Sequence, residues 1–475
     1  MTLRPPPSST ERMCTGLAVC AAGLWLWLCF CLFPLSAWND VRLEPSFLLA
    51  RGLPVYPSPN IGAVTTWIYG PLPVLLLWPA TFAHDTASAL LTGGAINLFF
   101  TAGVVALVCA CSPAKLGVCE RVLAFATCVA LWPAASFQYI QADNYAVACG
   151  LLSNLILMRG TGGAPSATRG WLAALAAAGA IMCKQTSGGI ILAQCLWLAW
   201  IAGPRAGLVH AVRAGTMVAG LLAAAIAWFG PQQLWFNLVQ VPGHLPWTQE
   251  TAKRLLDLAP LLAVHVLAPA AVLIFFRRHI WRTHSPLLLP SLTWCCVLPG
   301  GLAGILTLGG TLNSIQGLHY LLPPLMLVFF EVTRRTASIA RKTFIISAGL
   351  VVAIVGLRVS ATPLRPLLPL TSHLKQGESI ARQLPGQIWF PWNPLITIYT
   401  EGKFYHAEDG LYVRFITGYP LTYSHADAHL PDHWLVTALP SGNSDWGLAL
   451  NIRPVEQPPT EIGMWHLYRN VQAAP

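Results

Sequence analysis

Leu17-Ala18-Val19-Cys20-Ala21-Ala22-Gly23-Leu24-Trp25-Leu26-Trp27-Leu28-Cys29-Phe30-Cys31-Leu32-Phe33-Pro34-Leu35 gives way within three residues to Trp38-Asn39-Asp40-Val41-Arg42-Leu43-Glu44. The first run is about long enough to cross a bilayer. The second carries two carboxylates and a guanidinium at its mouth. A carboxylate at the centre of an inserted helix costs roughly 2.5–3.5 kcal/mol, so one at the mouth should have solvent, a cation or a substrate as partner. An interfacial stop signal is the plainer reading of Asp40 and Glu44 taken alone.

The rest of the chain extends this pattern. Its 475 residues are 55% hydrophobic and only 10% charged, with 19 Trp and a mean hydropathy of +0.58. That is the balance of a polytopic membrane protein. The net charge of +10 does not point to nucleic acid, because Lys and Arg fall in short clusters between apolar runs, as the positive-inside rule requires. The 13 cysteines all lie at or before Cys296, mostly in apolar segments. Cys29 and Cys31, Cys109 and Cys111, and Cys295 and Cys296 lack zinc-site spacing and read as small hydrophobes. No Ala-x-Ala cleavage pattern clearly follows the first run, which favours an uncleaved first helix over a removed signal peptide.

Further apolar runs lie at about Thr86 to Ala110, Val122 to Phe137, Tyr145 to Met158, Trp171 to Cys183, Ser187 to Ile201, Gly215 to Phe229, Leu258 to Phe276, Pro286 to Leu308, Leu318 to Phe330 and Phe344 to Leu357. With the first they predict about eleven transmembrane helices. Between the first two lies a polar stretch, Trp38 to Thr66, with a short helix expected near Pro45 to Arg51 that ends at Gly52. Trp67 to Phe82 carries Pro71, Pro73 and Pro79 and is marginal for spanning, so a re-entrant or interfacial element is expected. Charge supports this choice. With that element not crossing, basic residues from Arg4 and Arg12 through Arg277, Arg278 and Arg282 to Arg341 and Lys342 fall on one side, the cytoplasm. If it crossed, the later clusters would face outward.

The expected architecture is therefore an all-α polytopic membrane protein with residues 1–357 in the membrane domain. Residues 358–475 would form a small extracytoplasmic C-terminal α/β soluble domain, with strand-like runs at Gln387 to Phe390, Leu395 to Tyr399, Trp434 to Leu439 and Met464 to Tyr468. The N-terminus would be cytoplasmic. There is no P-loop, dinucleotide fingerprint or internal repeat.

Fixing the sides leaves a short set of outward ionisable residues. Asp143 opens a span and has helix capping as its plain reading. Lys184, in Cys183-Lys184-Gln185-Thr186, interrupts an apolar stretch and must pair or snorkel. His319 and Tyr320, beside Asn313 and Gln316, are a turn or a substrate contact. His244 reads as a solvated loop residue, and Lys253, Arg254 and Asp257 as the solvated face of an entry helix. His406, Glu408 and Asp409 crowd one loop, as polar turn chemistry or as a cation or sugar site.

One outward carboxylate, several outward cations and a large membrane body suit transfer of a sugar from a polyprenyl phosphate. The leaving phosphate needs positive charge, and the acceptor hydroxyl needs a base in an in-line displacement. Asp40 would be the base, and Lys184 with Arg42, Arg51 or Arg254 would hold the phosphate. Mg²⁺ held by Asp40 and Asp143 is an alternative that the electrostatics does not require. No cofactor is expected.

These pieces resemble the GT-C class of polytopic glycosyltransferases, in particular the family 39-like and RgtA/B/C/D-like proteins of bacteria. The matching residues are Asp40 after the first helix, Ala50-Arg51-Gly52 with Val55-Tyr56-Pro57, Tyr69-Gly70-Pro71-Leu72-Pro73, Asp143, and Lys184-Gln185-Thr186. They cover about the first 200 residues. Looser likeness continues at Asn313 to Pro323, Leu384 to Trp389 and Glu401-Gly402-Lys403. The resemblance implies a multi-pass bacterial inner-membrane enzyme, a polyprenyl-phosphate-linked sugar donor, a lipid, glycan or protein acceptor, and the first-loop Asp as catalytic base. The family often has adjacent Asp-Glu there; this chain has Asn39-Asp40, which makes Glu44 a competing base. Arg42, Arg51, Tyr69, Lys184, Lys253, Arg254, His319 and Tyr320 are the expected substrate-binding residues, and Asp40, Glu44 and Asp143 the expected catalytic ones. The competing readings are a lipid flippase or transporter with coupling charges at Asp40, Asp143 and Lys184, and a structural membrane subunit.

Overall fold

A computed structural model describes residues 8–65, 67–159, 165–248, 251–275, 277–280, 285–308, 310, 312–315, 317–333, 337–361, 371–441, 455 and 458–471. Among the described residues, each apolar run predicted from the sequence is helical over most of its length. Among the described residues, six helices are long and apolar enough to cross a membrane: Ser9–Leu35, Thr86–Cys111, Gln185–Ala202, Pro204–Phe229, Leu288–Leu306 and Ile339–Ala361. Shorter apolar helices, Ala142–Met158, Ala167–Cys183 and His319–Thr333, pack among them. The chain is thus a polytopic helical membrane protein carrying a small sheet.

The bundle has two chemically distinct ends. At one, the Arg358 guanidinium lies 5.1 Å from the Trp25 ring centroid and donates to the Trp132 carbonyl at 2.8 Å, which ties the ends of two helices to the side of the first. At the other, Arg121 donates to the Cys109 carbonyl at 2.8 Å and Arg159 to that of Cys111 at 3.4 Å. The chain leaves the first end after Leu35 and returns there at Thr86, since Phe33 packs on Gly94 and Leu43 on Gly93. Leu72–Phe82, a short apolar helix, lies within this excursion, where the re-entrant or interfacial element is expected.

The loop after the first span is more helical than expected. In place of a short helix near Pro45, a helix runs over Ala37–Ala50 with Pro45 inside it. Its end is as predicted: Gly52 adopts φ +68°, Gly52 N–H donates to Leu49 and Leu53 N–H to Leu48, the paired bonds of a Schellman motif. Pro45 removes one helical hydrogen bond. Against that, Val41, Leu43, Phe47 and Leu48 are almost fully buried, at about 1.5–3 kcal/mol each, so tertiary burial decides the conformation. The helix is covered on nearly all sides, with the bundle below and the tail above.

The tail contributes a four-stranded sheet in the order β1-β2-β4-β3, with β1 Ile388–Trp389, β2 Val436–Pro440, β3 Thr460–Ile462 and β4 Trp465–Arg469. β1 runs parallel to β2 with Ile388 opposite Val436, and β4 is antiparallel to both β2 and β3. Trp389, Phe390, Trp392 and Trp465 are buried around it. One predicted strand is a helix. Leu395 to Tyr399 is β-branched and apolar, but it lies within Pro394–Glu401, which has Pro at its first position and the left-handed Gly402 at its C-cap. Those flanks, and a side chain from the first loop described below, favour helix over strand.

Candidate active site

Six segments of the chain, around residues 42, 69, 143, 184, 313 and 409, converge at the first end of the bundle. Lys184 follows the last residue of Ala167–Cys183 and pairs with Asp143 at 2.5 Å. Asp143 sits in the first turn of Ala142–Met158, one residue inside it, and the cap position belongs to Gln141. Helix capping is therefore not its role. The other Asp143 oxygen accepts from the Asn313 amide at 3.0 Å. The Tyr69 ring meets two cations, with the Lys184 ammonium 6.0 Å and the Arg42 guanidinium 5.2 Å from its centroid. Arg42 also faces the Trp38 ring at 5.6 Å and pairs with Asp409 at 3.4 Å. Each cation is thus matched by one carboxylate and an aromatic face.

The backbone holds these groups in place. The Tyr69 carbonyl accepts from the Tyr56 hydroxyl at 2.7 Å, and the Trp67 indole donates to the Gly70 carbonyl at 2.9 Å. Gln185, beside Lys184, donates to the Ile68 carbonyl at 3.3 Å and to that of Leu238 at 3.2 Å. A Cβ at Gly70 would lie 2.0 Å from the Met182 carbonyl oxygen, so only glycine allows the Tyr69 loop to approach the end of the helix that carries Lys184.

Burial and the neighbouring charges compete here. Asp409 is pushed up to about 6 by desolvation, with Arg42 pulling the other way. Burial lowers the Arg42 guanidinium, but Tyr69 and Asp409 outweigh it and the net shift is upward.

Asp40 and Glu44 face elsewhere. Both are fully buried. Asp40 accepts from the Leu395 N–H at 2.9 Å and from the Asn393 amide at 3.2 Å, so it acts as a cap for the Pro394–Glu401 helix supplied from across the structure. Desolvation pushes Asp40 up to about 7 against the pull of those two bonds. Neither carboxyl oxygen of Glu44 has a hydrogen-bond partner, and burial together with the Asp40 charge holds it well above the usual carboxylate range. Neighbouring Asn39 is also committed. Its amide donates to the carbonyls of Phe33 and Gln138, both at 2.8 Å, and accepts from Ile140 N–H at 2.8 Å. A carboxylate there could not make the two donated bonds.

The remaining predicted residues scatter. Arg51 is exposed and approaches Gly402. Lys253 is exposed on the Thr251–Asp257 helix, and the side chain of Arg254 lies outside the described residues. His319 is buried with its ring 4.7 Å from that of Trp132, and Tyr320 is fully buried against Gly150. Among the described residues no three His, Cys, Asp or Glu side chains gather as a metal site. Asp409 and Asn313 join the cluster without having been expected in it. Asp409 lies 367 residues from Arg42, and nothing local in the sequence pairs them.

No family profile and no curated protein sequence matches the chain. Two solved structures do. The crystal structure of ArnT from Cupriavidus metallidurans bound to undecaprenyl phosphate aligns at a TM-score of 0.57 and 10% identity, over 97% of this chain and 99% of that one. The apo structure of the same protein aligns at 0.50 and 11% identity, with the same coverage. At such identity the likeness is one of fold, and the fold of this chain is that of the ArnT structures over nearly its whole length.

Proposed function

We propose that the protein is a membrane glycosyltransferase that moves a sugar from a polyprenyl-phosphate donor to an envelope acceptor, with the Arg42–Tyr69–Lys184–Asp143 cluster as its catalytic centre. The observation that carries this reading is the cluster itself: two cations and a carboxylate brought to one end of an apolar bundle from three distant segments. The ArnT crystal structure that shares the fold holds undecaprenyl phosphate, which is the donor's leaving group in the reaction proposed.

Arg42 and Lys184 bind the donor phosphate. In doing so Lys184 exchanges Asp143 for phosphate, and one Asp143 oxygen is released to the acceptor hydroxyl. The acceptor oxygen attacks the anomeric carbon in line, and its bond to the sugar forms as the bond from the anomeric carbon to the phosphate oxygen breaks. The proton passes to Asp143, the configuration inverts, and polyprenyl phosphate leaves with its charge held by the two cations. Asp143 is favoured over Asp40 as base because its partner Lys184 is a cation that can pass to the donor phosphate, whereas Asp40 is fully buried and held by two donors at the start of the Pro394–Glu401 helix. The protein would lie in a bacterial inner membrane with its N-terminus and basic clusters cytoplasmic and the site and tail facing outward.

The test is turnover by the purified protein with labelled polyprenyl-phosphate hexoses and pentoses and an envelope lipid extract. Acceptor-dependent release of polyprenyl phosphate from at least one donor is expected. Folded protein that releases none across the set contradicts the reading.

A further inference from the structure

The helix that carries Arg42 has a second surface. From Leu48, six residues and about 9 Å further along it, the wall of a cavity of about 350 Å³ begins. The first loop supplies Leu53, Pro54 and Ala63, and the tail supplies Phe404, Tyr405 and His429. These two segments also frame the charge cluster. Ala407 N–H donates to the Val64 carbonyl at 2.9 Å, and Val64 N–H donates to His406 at 3.0 Å; two residues beyond Ala407 is Asp409, the partner of Arg42. The cavity and the cluster are therefore neighbours on shared walls.

The chemistry of its lining is distinctive. Lys403 and Asp432, both in the lining, neutralise each other at 2.5 Å. His429 is held toward its neutral form by burial and by His425. The Tyr405 hydroxyl donates to Glu401 at 3.0 Å, which fixes the ring. The lining thus offers aromatic and apolar faces, paired polar groups and no surplus charge, at a volume suited to a small organic group. A phosphate or carboxylate would find no uncommitted cation there, whereas a sugar ring would find flat apolar faces and hydrogen-bonding groups together.

We infer that this cavity is an acceptor subsite, holding a neutral, hydroxyl-rich saccharide unit one to two helical turns from the Arg42 cluster. This rests on the transferase reading for its place in catalysis, but not for its ligand. Leu53 is 41% exposed, so Leu53→Trp narrows the cavity without disturbing the core. In steady-state assays the variant is expected to raise the acceptor KM by about tenfold or more, the scale of a lost pocket contact, with the donor KM unchanged. Unchanged acceptor KM overturns the inference. Binding of neutral methyl glycosides and disaccharides to the full chain in lipid nanodiscs, read by saturation-transfer NMR with a glycosyl phosphate for comparison, separates it from the transferase reading. Neutral glycosides that bind the wild type and are lost in Leu53→Trp support the cavity even where no transfer occurs. Equal binding to both proteins, or preference for the glycosyl phosphate, refutes it.

Discussion

Asp40 is conspicuous in sequence, and in space its carboxylate is engaged by two donors from the tail. Its position after the first helix and the resemblance to GT-C enzymes both point to a base, and only the tertiary fold brings in Asn393 and Leu395 to occupy its oxygens. That arrangement has a pH signature. A carboxyl pushed up to about 7 by burial holds its proton more tightly in the folded than in the unfolded chain, so its contribution to stability is complete below about pH 4 and is lost as the pH rises through 7. His406, pulled down to about 3 by burial, acts in the opposite sense, so the measurement must isolate Asp40. The stability of wild type relative to Asp40→Asn should fall by up to roughly 4 kcal/mol between pH 4 and 8. A difference that does not vary with pH would show that Asp40 does not titrate in this range.

Elements were legible in proportion to how local their causes are. Prolines at 71, 73 and 79 keep Leu72–Phe82 short, and a left-handed Gly52 ends the first-loop helix; both signals lie in the sequence beside the effect. The Ala37–Ala50 helix begins eight residues before the predicted start because burial under the tail overrides Pro45. Leu395 to Tyr399 is a helix because Pro394, Gly402 and Asp40 outweigh a β-branched composition. The sharpest element-level constraint is the approach of the Tyr69 loop to the helix end at Met182. Gly70→Ala would put a Cβ 2.0 Å from a backbone oxygen, which no rotamer relieves. We expect a loss of about 1–3 kcal/mol of stability, the cost of overpacking, together with reduced turnover as Tyr69 moves from Lys184. A variant with wild-type thermal stability and turnover would mean that the contact is dispensable.

At the scale of the whole molecule, hydropathy and the distribution of Lys and Arg suffice to read a polytopic helical protein with a small tail sheet. Asp143, Lys184, Arg42 and Tyr69 could each be singled out from their neighbourhoods, since a charge beside an apolar run must find a partner. Their pairing could not be read, because it depends on how helices at 142–158 and 167–183 meet the first loop and on Asp409 returning from the tail. The central claim is that this convergence is the catalytic centre, and it is tested most directly by the rate of polyprenyl phosphate release from labelled donor by purified Asp143→Asn beside wild type. General-base loss is worth about 10²- to 10⁴-fold; the account predicts a fall of that size in a variant that remains folded and still binds polyprenyl phosphate. Transfer by Asp143→Asn at the wild-type rate would contradict it.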